Sequence, residues 1–290
     1  TTECQGVAVT GYTKAFTSIL SNKDEYKFSV IAAPGLLYDA FPAQVNEMIA
    51  LAENRGDCIA VVDLGKYSAS IADVVEDAKA LNSSFAAAYF PWLEVVTDYG
   101  QKAFVPASTV IPGVYAFTDQ VAAPWFAPAG LVRGGIPGVL RASTKLSRAN
   151  RDSLYRNKVN PIATFPGQGI AVFGQKTLQT KASALDRVNV RRLLIELKDF
   201  LGNQGRNLVF EQNTIATRNR FLAAVNPYLE SVVQRQGLYA YRVVMDDTNN
   251  TADIVDRNQL VGQIYIQPAK TAEFVVLDFI VEPTGATFGA

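Results

Sequence analysis

The sequence predicts an α/β fold: a central, doubly wound, mostly parallel sheet with flanking helices, followed by an α+β C-terminal domain whose mixed or antiparallel sheet packs with helices. Three observations predict it. Strands that are apolar throughout, such as "CIAVVDL" from Cys58 to Leu64, alternate with amphipathic helical stretches, the pattern of a parallel sheet buried on both faces. Helical periodicity then dominates residues 183–234. After it come strands with period-2 alternation. A chain of 290 residues, 49% hydrophobic and 19% charged, can hold two such domains and is not a disordered composition.

Thr1 to Lys27 is polar and is expected to be the remnant of a preceding domain or a linker. Phe28 to Ala33 reads as a short buried strand ended by Pro34-Gly35. Ala43 to Asn54 is helical, with Val45, Ile49 and Ala52 on one side, and Gly56 stops it. The Cys58–Leu64 strand follows. Ile71 to Leu81 is a second amphipathic helix, and Phe85 to Val96 contains a third strand. Right-handed crossovers would put helices on both faces of this sheet. Pro106 to Val121 holds another helix. The loop "PWFAPAGLVRGGIP" (124–137) reads as an irregular surface or interface loop rather than an anion cradle, because it has neither a P-loop lysine nor a following helix cap. Ser147 to Asn157 is a short charged helix broken by Asn160-Pro161. Ile162 to Phe173 reads as two strands around Pro166-Gly167-Gln168-Gly169. A dinucleotide loop there would need a following helix and an acidic partner, and neither is present.

The second half is organised by the stretch from Ser183 to Asn250. Asp186 is placed to cap a helix, and Val190, Leu193, Leu194, Leu197 and Leu201 recur on one helical face before Gly202, the expected stop. A second helical run from Thr214 buries Phe221, Leu222, Val225, Leu229 and Val232. Pro227 inside it is read as the first residue of a fresh segment capped by Asn226. Gly237 ends the run, and Tyr239, Tyr241, Val243 and Met245 then alternate along a strand. Gln263 to Gln267 and Phe274 to Glu282 are further strands, the last with Val275, Leu277, Phe279 and Val281 on one face.

Composition removes several chemistries. There is no histidine, so Ser-His-Asp and Cys-His catalysis and imidazole metal sites are excluded. The two cysteines, Cys4 and Cys58, form no CxxC and no disulfide framework, and Cys58 reads as a small buried residue rather than a nucleophile. Lys plus Arg and Asp plus Glu are 27 each, which argues against a general nucleic-acid binder and is compatible with self-association. No apolar run is long enough for a membrane span, and no secretory signal is seen. Asp246-Asp247-Thr248-Asn249-Asn250 has oxygens for a hard cation but lacks the glycine and distal glutamate of a calcium loop, so it reads as a strand-terminating turn. No cofactor is implied.

The runs "SALDRVNVRRLLIELKDFL", "FLAAVNPYL", "QGLYAYRVVMDDTNN" and "GQIYIQPAKTAEFVVLDFIV", in that order, resemble the C-terminal domain of contractile-tail bacteriophage sheath proteins. "NPIATFPGQGIAVFGQKTL" also resembles the family and marks the expected domain boundary, giving a core domain at 28–159 and a C-terminal domain at 160–290. The resemblance covers Asn160 to the end well and the first half loosely. It implies a structural subunit, not an enzyme, within a longer protein that carries arms and outer domains. Its partners would be copies of itself in hexameric rings stacked helically, the tail tube protein, and baseplate and terminator proteins. Neither direct nucleic-acid binding nor membrane insertion is implied. It would sit in the virion's tail sheath, assembled in the host bacterial cytoplasm, and its contraction would drive the tube through the host envelope for genome ejection.

On that resemblance, Asp186, Arg187, Arg191 and Arg192 are candidate subunit or tube contacts, the other reading being a solvated helix face. Tyr239, Tyr241, Val243, Val275, Leu277 and Phe279 are candidate edge residues for strand exchange with a neighbour's arm. Two alternatives remain open: the sheath of a phage-tail-like bacteriocin or injection particle, and a doubly wound small-molecule enzyme with a ligand near Asp63 or Asp98.

Overall fold

The computed structural model describes residues 2–273. The chain opens with a ribbon, β1 (Glu3–Cys4) and β2 (Val7–Ala8), then α1 (Val9–Lys14) and a π-helical turn at Ala15–Ile19. This opening is built into the core rather than set apart from it. Cys4 and Phe16 are buried there. Arg55 Nη1 donates to Leu20 O at 2.5 Å and its Nη2 to Tyr26 O at 2.7 Å, while its Nε pairs with Asp57 and its guanidinium lies over Phe28.

The central unit then alternates strand and helix: β3 (Val30–Leu37), α2 (Pro42–Arg55), β4 (Ile59–Asp63), α3 (Ile71–Ala80) and β5 (Ala86–Phe90). It continues with β6 (Leu93–Val96), β7 (Lys102–Val105), a 3-10 turn at Ala107–Thr109, α4 (Ile111–Val121), α5 (Gly130–Arg133), β8 (Val139–Ala142), α6 (Arg148–Arg156), β9 (Val159–Phe165) and β10 (Gly169–Val172). Among the described residues, five strands form the main sheet in the order β10-β9-β5-β4-β3, parallel except for β10. Strands β7-β6-β8 make a separate antiparallel sheet.

Strand β4 shows why a continuous apolar run was needed. Ala60 and Val62, with Cys58 and Leu64 at its ends, face a layer built by Val45, Met48, Val74, Ala78 and Leu154 of α2, α3 and α6. Ile59 and Val61 face the opposite layer, which holds Ile111, Val114 and Tyr115 of α4. With one side chain per face at each step, burial on both faces leaves no polar position before Asp63, at the carboxyl end of the strand. The parallel strands advance in one direction from β3 to β9, so strand order does not reverse between them.

Two boundaries differ from expectation. Strand β3 continues to Leu37 through a register shift after Ala32. Gly35 makes this possible: its φ is 88°, and a Cβ would lie 1.9 Å from Gln5 Nε2. Helix α6 ends where Lys158 takes φ 70°, and Asn160-Pro161 belongs to β9 rather than breaking the helix. Asn160 holds its place by donating from Nδ2 to Ala88 O and Lys176 O and accepting from Lys176 N. The boundary expected at Asn160 therefore falls inside the five-stranded sheet, which runs on to Val172.

The remaining elements are a 3-10 turn at Ala184–Asp186, α7 (Val188–Arg206), α8 (Ile215–Gln234), β11 (Leu238–Val244), α9 (Ala252–Asp256) and β12 (Gln263–Pro268). Antiparallel β11 and β12 cover a core of Leu193, Leu197, Phe221, Val225, Leu229 and Val232. Gly202 does not stop α7, and Pro227 does not start a new helix: α8 is continuous across it. Pro227 and Ala223 lie on the exposed face, where water can satisfy the carbonyl that proline leaves without a donor. Buried Val225 and Leu229 flank the proline, and Tyr228 stacks on Phe200 with ring centroids 3.7 Å apart, which holds the helix through it. The expected strand at Phe274–Glu282 lies outside the described residues.

Candidate functional site

The start of α7 lines a cleft of about 570 Å³, with Asp186, Arg187, Asn189, Gln175 and Glu273 on its walls. Asp186 does not cap α7. It closes the preceding 3-10 turn, whose cap is Ser183, and Arg187 occupies the N-cap position without a side-chain cap. The first helical N–H, that of Val188, donates instead to Gln175 O at 2.8 Å. A tertiary hydrogen bond thus does what Asp186 was expected to do. Arg187 donates to both Glu273 oxygens, at 2.6 and 3.0 Å, and to Asp186 at 2.9 Å.

The two remaining arginines part from this pair. Arg191 and Arg192 are 4% and 5% exposed, and both bond inside the chain. Arg191 donates from Nε to Ser84 O at 3.2 Å and from Nη2 to Ser84 Oγ, with its guanidinium 3.8 Å from the Phe85 ring centroid. Desolvation lowers its pKa to about 10, so it still carries its charge at neutral pH. Arg192 donates to Asp119 Oδ1 at 2.7 Å and lies over Tyr115, 4.6 Å from the centroid. Tyr115 in turn shares a 2.7 Å hydrogen bond with Tyr89 on β5. The four residues therefore do not form one outward face, and only Asp186 and Arg187 stand at the cleft. A signal for this was present: Val188, Arg192 and Ile195, at i, i+4 and i+7, form a second stripe besides the leucine stripe, and an arginine centred on it is pointed at protein.

On β11, Tyr239 is 63% exposed, whereas Tyr241 and Val243 are half-buried against α8, Tyr241 donating to Asn226 O at 3.1 Å. Val275, Leu277 and Phe279 lie outside the described residues. The Asp246–Asn250 stretch is a turn whose side chains serve the chain itself. Asp246 accepts from Thr248 N, Asn250 exchanges hydrogen bonds with Val261 at 2.9 Å, and Asp247 takes Arg218 at 2.7 Å.

Asp63, at the carboxyl end of β4, is 5% exposed and accepts from Ser108 Oγ (2.5 Å), Ser108 N (3.1 Å) and Gly35 N (3.4 Å). Its oxygens thus join β3, β4 and the 3-10 turn. Burial, only partly offset by these donors, raises its pKa to about 6. Asp98 is exposed in the β6–β7 turn. The reversal of strand order that opens a ligand crevice in doubly wound sheets is not found between β3 and β9. Burial pushes the Cys58 thiol up to about 12, against nucleophilic use. Among the described residues no helix is long and apolar enough to cross a membrane.

Comparison with known proteins gives consistent matches. The phage tail sheath protein central domain matches residues 5–178, and the phage tail sheath C-terminal domain matches residues 180–282. The tail sheath protein of Vibrio phage KVP40 is 43% identical over 185 residues, covering 64% of this chain and 28% of that protein. That of Enterobacteria phage T4 is 40% identical over the same shares. That of Salmonella phage ViI is 31% identical over 278 residues, 88% of this chain and 44% of that protein. The chain thus spans less than half the length of these relatives. Among solved structures, the PVC sheath complex of an extracellular contractile injection system in its contracted state superposes with a TM-score of 0.79 at 26% identity, covering 92% of this chain and 74% of that one. The contracted helical sheath of the anti-feeding prophage gives 0.74 at 23% identity, covering 91% and 73%, a likeness of fold.

Proposed function

The chain belongs to the phage tail sheath protein family, and on that premise we propose that it is the part of a contractile tail sheath subunit that packs into stacked hexameric rings around a tail tube and repacks on contraction. The observation that carries this reading is the pair of family matches, in order and nearly end to end, over residues 5–178 and 180–282. The likeness to a sheath in its contracted state supports it. A phage tail is favoured over other injection particles by the 40–43% identity to tail sheath proteins of two phages. Its role is mechanical rather than catalytic: Asp63, the buried carboxylate that an enzyme reading would use, is occupied by three donors from its own chain.

Partners follow from that role. Copies of the same protein, the tube, and the baseplate and terminator at either end would all contact it, with assembly in the host cytoplasm. Asp186 and Arg187 at the α7 cleft are the contact residues we retain. Strand β11, paired with β12 along one edge, is the candidate acceptor for a neighbour's extended arm, with exposed Tyr239 at its start. A chain that repacks between two states needs rigid units joined by extended links that stay bonded.

The test is negative-stain electron microscopy of the full-length parent protein, purified alone. Regular tubes of stacked rings are the expected result. A parent protein that remains small and soluble at high concentration overturns the sheath reading.

A further inference from the structure

Helices α3 and α6 lie in one layer over the main sheet, Val74, Ala78 and Leu154 being buried in the same cluster. Their outward sides carry opposite charge. Around α6, Lys145, Arg148 and Arg156 are exposed and Arg151 is half-buried on the flank, against one carboxylate, Asp152. On α3, Asp73 and Glu76 are exposed and Asp77 is half-buried, with Lys79 the one basic residue of the helix. Burial first, and then the charges of Asp39, Asp73 and Glu76, raise the pKa of Asp77, so these carboxylates crowd one another. Among the described residues none of these charged side chains forms an ion pair, whereas nearby Arg141 is paired with Glu94 at 2.8 Å. Arg151 is held over Phe165 and Phe173, 5.2 and 5.6 Å from their ring centroids. The two rings pack 5.0 Å apart, and Phe173 is 46% exposed. An arginine fixed on an exposed aromatic pair is the composition of an interface core, not of a solvated helix face.

We propose that the α6 face, through Arg148 and Arg151, docks on the α3 face of a second copy of this chain, at Asp39 and Glu76. Charge complementarity selects that occupant. A planar guanidinium fork pairs with a carboxylate through two hydrogen bonds, and each face offers what the other lacks. The exceptions match as well: the basic face carries one acid, Asp152, and the acidic helix carries one base, Lys79. Asp152 also argues against a polyanion, because it stands four residues from both Arg148 and Arg156, where a phosphate chain would be repelled. The two faces differ, so the contact is head-to-tail and extends from copy to copy instead of closing on a pair. A helical polymer is built from contacts of that kind, and the inference rests on the sheath reading.

Tube assembly by the full-length parent protein, followed by light scattering and electron microscopy, tests it. Arg148→Glu with Arg151→Glu should raise the concentration needed for tubes about tenfold or more, and so should Asp39→Lys with Glu76→Lys. An equimolar mixture of the two variants should return it to within about threefold of wild type, because each reversed face then meets its complement. Misfolded chains cannot give that rescue, so it separates loss of contact from loss of fold. Tubes that form at the wild-type concentration in both variants overturn the docking and leave the sheath reading standing. Loss without rescue overturns it too. Binding of the parent to a DNA duplex at physiological salt, removed by Arg148→Glu with Arg151→Glu while tubes persist, would reassign the face to a polyanion. A wild type that forms no tubes overturns the sheath reading itself, and this contact with it.

Discussion

Asp63 shows how a residue's type and its task can come apart. A carboxylate at the end of an apolar strand invites a ligand reading, yet its three donors are Ser108 Oγ, Ser108 N and Gly35 N of the same chain. Its pKa rises from 3.8 to about 6 because burial outweighs those donors. A group with a raised pKa holds its proton more tightly folded than unfolded. Its contribution to stability is therefore complete below pH 3.8 and is lost as pH rises through 6. Two pH units correspond to about 3 kcal/mol at most. Denaturation midpoints from pH 4 to 7 should fall in the wild type. Asp63→Asn should be less stable at every pH, because its amide cannot accept from all three donors, and should lose this part of the slope. An unchanged slope would assign the titration elsewhere. Nothing in the sequence near Asp63 announces Ser108, which comes from a turn 45 residues further on.

At the scale of elements, local propensity was overruled where tertiary burial was strong. Helix α8 keeps Pro227 in its interior, and α7 runs on through Gly202 to Arg206. An interior proline costs about 3 kcal/mol and a glycine about 1 kcal/mol relative to alanine. The stacked pair Phe200 and Tyr228, with Val225 and Leu229 buried alongside, offsets those costs. Pro227→Ala should therefore stabilise the chain by about 1 kcal/mol or more, since Ala223 O regains its intrahelical donor without loss of a buried contact. The check is a higher urea midpoint at unchanged m-value. A lower midpoint would mean that the ring itself shapes α8. Gly56 behaved as read: it closes α2 in the left-handed conformation at φ 69°.

For the whole molecule the decisive feature is that α7 belongs to two cores. A chain divided into separate units should melt in two steps. One with a shared helix should give a single calorimetric transition whose van't Hoff and calorimetric enthalpies agree. That agreement is the expected outcome for this chain, and a resolved pair of transitions would restore a two-body description. The zero net charge fits such a chain, with equal numbers of acidic and basic residues free to pair within and between copies.

What the sequence determined by itself was periodic or compositional. The apolar run from Cys58 to Leu64 required a sheet covered on both faces, and the leucine stripe of α7 required a helix with a buried side. The lack of histidine removed whole classes of catalysis, and the ordered runs from Ser183 onward carried the family resemblance. These properties depend on neighbours within a few residues, so they are legible along the chain. Only the tertiary structure decided that Arg191 and Arg192 turn inward, that Asp186 leaves the capping of α7 to Gln175 O, and that Asn160 lies within the main sheet. Each of these depends on a partner far away in sequence: Ser84 and Asp119 for the arginines, Ala88 for Asn160. A buried polar group goes wherever its donors and acceptors can be satisfied, and a one-dimensional pattern does not contain that information.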